Sequence, residues 1–153
     1  MTKPSKHYTA SVVVLSNSTP TKTLLVHHRK YDKWMPPGGH QEAHENPVEA
    51  AIRETLEETS LDISGVIEGP QPFDAGASHL RRPDYFLEEA IPAHGGEAEH
   101  VHLDQIYVVR IPEQLGIHNQ DESHGIGWFT LEDTEKLPTF DNVHQILRKE
   151  MKS

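Results

Sequence analysis

Apolar and polar positions along the chain fall into two periods. Residues 8–15, with the run Ser11-Val12-Val13-Val14-Leu15, are β-branched and continuous enough for a central strand. Asn17, Ser18 and Pro20 then mark a turn, and residues 23–27 form a second strand, so a hairpin is expected. Residues 33–40 carry Pro36, Pro37, Gly38 and Gly39 and read as a loop. The period then becomes helical. Val48, Ala51, Ile52, Thr55 and Leu56 recur at i, i+3, i+4, i+7 and i+8, which predicts one core-facing stripe. Asn46 suits the N-cap, Pro47 the first helical position, and Glu49 has capping-box spacing. This helix should end near Thr59 or Ser60.

Further strands are expected over residues 102–111 and 125–130, with shorter candidates at 63–67 and 85–90. The stretch 68–96 is otherwise rich in Pro, Gly and Ala. Residues 141–151 read as a closing helix with Val143, Ile146 and Leu147 on one face. Strands with helices between and after them predict the α/β class, a mixed sheet covered by helices on both faces.

With 153 residues, no internal repeat and no strong linker, a single domain spanning 1–153 is expected. The 24 Asp and Glu against 14 Lys and Arg give a net charge of −10, which argues against duplex nucleic acid as a partner. An acidic chain can still bind phosphates when cations screen its carboxylates. The absence of Cys excludes a disulfide framework and a thiolate metal site. The start Met1-Thr2-Lys3-Pro4-Ser5-Lys6 lacks the apolar stretch of a signal peptide, and no run approaches a membrane span. A cytoplasmic protein with no membrane partner, monomeric or homodimeric, is the expectation.

The candidate chemistry lies on the capped helix. Glu54, Glu57 and Glu58 stand at i, i+3 and i+4 and project as neighbours. They repel one another, and in the C-terminal half of a helix they oppose its dipole. A solvated acidic face would also have this composition. A divalent cation would remove the repulsion, and hard carboxylate oxygens suit magnesium.

The spacing around these residues is more specific. Gly39, five residues, Glu45, seven residues, then Arg53-Glu54-Thr55-Leu56-Glu57-Glu58-Thr59-Ser60-Leu61 closely resembles the Nudix box. Gly39, Glu45, Arg53, Glu54, Glu57, Glu58 and Leu61 match it. Thr55 stands where an aliphatic residue is usual, for which a packing change alone is expected. Ser60 replaces a Gly, which predicts a left-handed residue at a cost of roughly 1 kcal/mol. The approach segment from Lys33 to His40 is similar to that of many bacterial members. The resemblance implies a Nudix-type α/β/α sandwich with a mixed central β-sheet over nearly the whole chain.

It also implies an Mg2+-dependent pyrophosphohydrolase, with Mn2+ as a substitute, cleaving a phosphoanhydride bond in a nucleoside-diphosphate-linked small molecule. Glu54, Glu57, Glu58 and the Gly38 carbonyl resemble the family's metal ligands. Arg53 and Glu45 look like a pair that orients helix and loop, although an exposed salt bridge is the plainer reading. For the general base, Glu122 is favoured over Asp121, with Glu54 as the rival on the helix. Gly39, His40, Trp34 and Arg81 are candidate substrate contacts, each with an ordinary packing or solvated alternative.

His100, His102 and Asp104 alternate on one strand and share a face. With His94 nearby they could hold zinc, although no compact structural-zinc signature is present and a polar strand face is the simpler reading. Two competing functions stay open: a nucleotide-binding or sensor Nudix domain with little turnover, and a structural acidic domain.

Overall fold

A computed structural model describes residues 3–152. Met1 and Thr2, the head of the stretch read above as lacking a leader, lie outside the described residues. In chain order the elements are β1 (Lys6–Ser16), β2 (Lys22–His28), β3 (Lys33–Met35), β4 (Gly38–His40), α1 (Pro47–Thr59), β5 (Gln71–Asp74), β6 (Ala77–His79), β7 (Tyr85–Ile91), β8 (His100–Ile111), β9 (Ser123–Thr130), α2 (Leu131–Glu135) and α3 (Asp141–Glu150).

Seven strands form one mixed sheet. Its main order is β3-β2-β1-β8-β7, with β4 also on β1 and β9 also on β2. The expected hairpin is present, β1 and β2 being antiparallel with Leu15 opposite Thr23. β1 and β8 run parallel through eleven matched positions, from Lys6–Val101 to Ser16–Ile111.

The long apolar run of β1 is explained by burial on both sides. Ala10, Val12 and Val14 enter one core with Val48, Ala50 and Ala51 of α1 and with Tyr107 and Val109 of β8. Val13 and Leu15 enter the opposite core with Val143, Ile146 and Leu147 of α3 and Ile106 of β8. Helices therefore cover both faces, as the sequence pattern predicts.

α1 begins with a complete capping box. Asn46 Oδ1 accepts from the Glu49 N–H at 2.9 Å, and Glu49 Oε1 accepts from the Asn46 N–H at 2.9 Å. Such a cap contributes about 1 kcal/mol. The helix closes on Ser60, which is left-handed at φ 63°. Its hydroxyl donates to the Ile117 carbonyl at 3.1 Å, which offsets part of the strain.

Several expectations need correction. The segment 33–40 is not loop throughout. Lys33–Met35 pairs with β2 and Gly38–His40 pairs with β1, so only Pro36 and Pro37, the residues that resist ladder bonding, stay outside strands. Residues 63–67 form a turn, the Val66 and Ile67 N–H groups both donating to the Ile63 carbonyl, while Ile63 and Ile67 are buried. The core stripe of α1 runs through Val48, Ala51, Thr55 and Thr59, and Leu56 is 47% exposed. Thr55 is more than a packing change, because its buried hydroxyl has no partner. The stretch 68–96 holds an exposed hairpin, β5–β6, ahead of β7.

Candidate active site

β4 and α1 build the site together. The Val12 N–H donates to the Pro37 carbonyl at 2.9 Å and the Gln41 N–H to the Tyr8 carbonyl at 3.0 Å. Antiparallel alternation then makes Ser11–Gly38 a non-hydrogen-bonded pair, so the polar groups of Gly38 point away from β1. The Gly38 N–H indeed donates to Glu58 Oε2 at 2.7 Å. Its carbonyl shares that direction. Both glycines are required by close approach. A Cβ on Gly38 would lie 2.6 Å from the Ala10 carbonyl oxygen, and one on Gly39 would lie 2.5 Å from the Glu54 carboxyl carbon.

The three helix glutamates differ in setting. Glu58 is only 6% exposed. Burial pushes its carboxyl up to about 8, against the opposing Gly38 N–H, and the charges of Glu54, Glu122 and Glu57 push the same way. Burial also raises Glu54, opposed by Arg53. Glu57 is exposed. Glu122, on the exposed loop before β9, is thus close enough for its charge to reach both Glu54 and Glu58.

Arg53 ties the surroundings together. Its Nε and Nη2 donate to the two oxygens of Glu45 at 2.7 and 3.0 Å, a two-pronged pairing. Its Nη1 donates to Glu54 at 2.8 Å and Glu57 at 3.2 Å, and its Nη2 also reaches the His40 carbonyl at 2.9 Å. The Glu45 side chain is 7% exposed, so the pair is not the solvated surface bridge of the plainer reading. The guanidinium beside it holds the Glu45 carboxyl below its usual range.

A cavity of about 260 Å³ opens from this corner onto the α3 face of the sheet. Gly38, Gly39, His40 and Glu58 line one end, and Phe140, Val143 and Ile146 the other. Its floor is polar. Asp104 accepts from the Thr9 hydroxyl at 3.0 Å and the Ser11 hydroxyl at 2.9 Å. Glu89, diagonal to Asp104 across the β7–β8 ladder, hydrogen-bonds to it and accepts from Asn142 Nδ2 at 3.0 Å. Burial beside Asp104 raises Glu89 to about 8, and burial raises Asp104 as well. Interacting carboxyls of this kind titrate as a pair.

The structure therefore brings together Gly38, Gly39, His40, Glu45, Arg53, Glu54, Glu57, Glu58 and Glu122. It does not bring Trp34 or Arg81 to the cavity. Trp34 stacks on His27 at 4.9 Å and meets Phe129 edge-on at 5.0 Å. Arg81 pairs with Asp84 at 3.1 Å and donates to the Val108 carbonyl at 2.9 Å. The zinc grouping is also corrected. Asp104 is turned to Thr9 and Ser11, and His94 lies on an exposed bridge with Glu97 beyond Tyr31. Thr9, Ser11, Glu89 and Asn142 are missed by the sequence reading. The available signal was the acidic Asp104 inside the predicted strand 102–111.

The family model of the NUDIX domain matches residues 5–150. The chain belongs to the Nudix family. Among solved structures, a NUDIX-family hydrolase from Clostridium perfringens is similar at TM-score 0.74 and 26% identity, over 95% of each chain. The E. coli dihydroneopterin triphosphate pyrophosphohydrolase shares the fold at TM-score 0.71 and 18% identity, over 97% of this Nudix chain and 98% of that one. A C. elegans Ap4A hydrolase does so at TM-score 0.62 and 20% identity, over 94% of this chain and 93% of that one. A search of curated protein sequences gives no match.

Proposed function

We propose that this Nudix protein hydrolyses a phosphoanhydride bond in a nucleoside-diphosphate-linked small molecule, with Glu58 at the centre of its machinery. One observation carries the reading. The cavity joins buried Glu58 of α1 to an apolar pocket floored by Asp104 and Glu89. A substrate with a polyphosphate at one end and a ring system at the other matches that polarity.

The glutamates fit a divalent cation. Glu54 and Glu58 are held close to each other and to Glu122, and Glu58 has only one backbone N–H to offset its charge. A hard dication supplies the missing countercharge, Mg2+ by donor type with Mn2+ as a substitute. Glu54, Glu57, Glu58 and the Gly38 carbonyl would hold it. When bound, such an ion neutralises the phosphate oxygens that otherwise repel a nucleophile.

The chain's own groups supply the rest. Arg53 fixes Glu45, Glu54 and the His40 carbonyl, and so sets the β4–α1 corner. Glu122 is the proposed general base, since Glu54 is engaged by Arg53. Water oxygen bonds to phosphorus, its proton passes to the Glu122 carboxylate, and the bridging P–O bond breaks with its electron pair on the departing phosphate.

The test is incubation with Mg2+ and a panel of nucleoside triphosphates, nucleotide sugars, dinucleoside polyphosphates and ADP-ribose. A Mg2+-dependent phosphate-bearing product from at least one class is expected. No product across the panel, from folded protein, overturns the reading in favour of a binding domain.

A further inference from the structure

Four histidines, His40 of the glutamate corner among them, close into a ring. The centroid separations are 5.4 Å for His7–His40, 5.1 Å for His40–His102, 4.9 Å for His102–His100 and 5.3 Å for His100–His7. Strand register builds the group. His7 of β1 lies opposite His102 of β8, and His40 of β4 lies opposite Thr9, two residues further along β1. All four therefore sit on the cavity face, and His40 and His102 line the cavity itself.

We infer that His7, His40, His100 and His102 form a site for a transition-metal dication of the zinc, nickel or copper class, separate from the glutamates. Three observations support this. His100 Nε2 and His102 Nε2 are 3.1 Å apart. Two imidazole nitrogens on one tetrahedral zinc stand about 3.3 Å apart, from Zn–N bonds of about 2.0–2.1 Å. His100 Nδ1 lies 3.1 Å from the Ala98 carbonyl, a bond that places the proton on Nδ1 and leaves Nε2 as a lone-pair donor. Metal-ligating histidines are usually oriented by such an outer bond. His7 Nδ1 is buried without any hydrogen-bond partner, a costly condition that a ligand or ion would relieve.

The charge state agrees. Burial, with the neighbouring imidazoles, brings His102 down to about 4, so its ring is neutral at pH 7. The Glu97 carboxylate, ion-paired with Lys30 at 2.8 Å, lies 3.6 Å from His100 Nε2. Among the described residues no three such donors already converge on one point, here or at the glutamates, so the ion would complete either site by drawing side chains inward. Imidazole donors select against Mg2+, which keeps the two sites chemically distinct. An ion here would link β1, β4 and β8, and β4 carries the Gly38 that holds Glu58.

This inference does not rest on the hydrolase reading, and its test needs no turnover. Zn2+ binding to the full chain is measured by calorimetry in excess Mg2+, and Cu2+ binding by electron paramagnetic resonance. One Zn2+ per chain is expected, with nitrogen hyperfine splitting in the Cu2+ spectrum. The His100→Ala/His102→Ala double variant should bind at least about 100-fold more weakly, and Glu58→Gln should bind as the wild type does. Absence of binding by the wild type overturns the proposal. So does unchanged affinity in the double variant, or loss of binding in Glu58→Gln. If circular dichroism shows the double variant unfolded, His7→Phe replaces it, with the same loss expected and unchanged affinity counting against the site.

Discussion

The two faces of β1 are made differently from one strand. Toward α1 it presents Ala10, Val12 and Val14, all inaccessible and packed against helix and β8. Toward α3 it presents His7, Thr9 and Ser11 before returning to Val13 and Leu15. The first face stabilises the fold and positions the glutamate helix. The second gives up apolar contact for a cavity whose floor is a hydrogen-bonded acid pair. The lesson is that polar residues within a β-branched run mark where a sheet face stops being core.

Substitutions on the two faces should separate these roles. Val12→Ala removes two buried methyl groups and should cost about 2 kcal/mol in stability, with KM unchanged. Thr9→Val keeps the shape but removes one hydroxyl from Asp104, costing about 1 kcal/mol and raising KM. Urea unfolding and steady-state kinetics measure both. Equal effects on KM would erase the distinction between the faces.

The acid pair predicts a pH signature of the cavity face. The folded chain holds a proton at Glu89 up to about pH 8, whereas an unfolded carboxyl releases it near its ordinary value of 4.5. Folded protein therefore binds more protons between these values, and stability from this group is lost as pH rises through about 8. Melting temperature followed from pH 5 to 9 should fall less in Glu89→Gln than in the wild type. Parallel curves would place the proton elsewhere.

An effect of opposite sign belongs to the α1 face. Thr55→Val replaces an orphaned buried hydroxyl with a methyl group and should raise stability by about 1 kcal/mol without altering turnover. A loss of stability would mean that the hydroxyl is satisfied in solution.

Much of the α1 face was legible in the sequence. The cap at Asn46, the end at Ser60 and the spacing of Gly39, Glu45 and the helix glutamates are local signals, set within a few turns of chain. Leu56 was misjudged because periodicity defines a stripe only to within a residue or so, and the tertiary partner of α1 decides its edge. The cavity face was largely hidden. Joining His7 to His102, or Asp104 to Thr9 and Glu89, takes the registers of β1 and of β7 against β8, across 95 positions for Thr9 and Asp104. Single-strand alternation showed that His100, His102 and Asp104 share a face but not which strand lies beside them. Pro36-Pro37 signalled a break correctly, yet concealed that three-residue strands fit on either side.

The central claim is that Glu58, buried beneath Gly38, is the core of a metal-dependent hydrolytic site. Its most direct test is Glu58→Gln, assayed over a Mg2+ titration on whichever substrate the panel reveals, with circular dichroism as the check on folding. The amide keeps the shape and can still accept from the Gly38 N–H, so the fold should be retained. Turnover should fall by about 10³-fold, roughly 4 kcal/mol of lost transition-state stabilisation. Near-normal rates and an unchanged Mg2+ dependence in the folded variant would contradict the account.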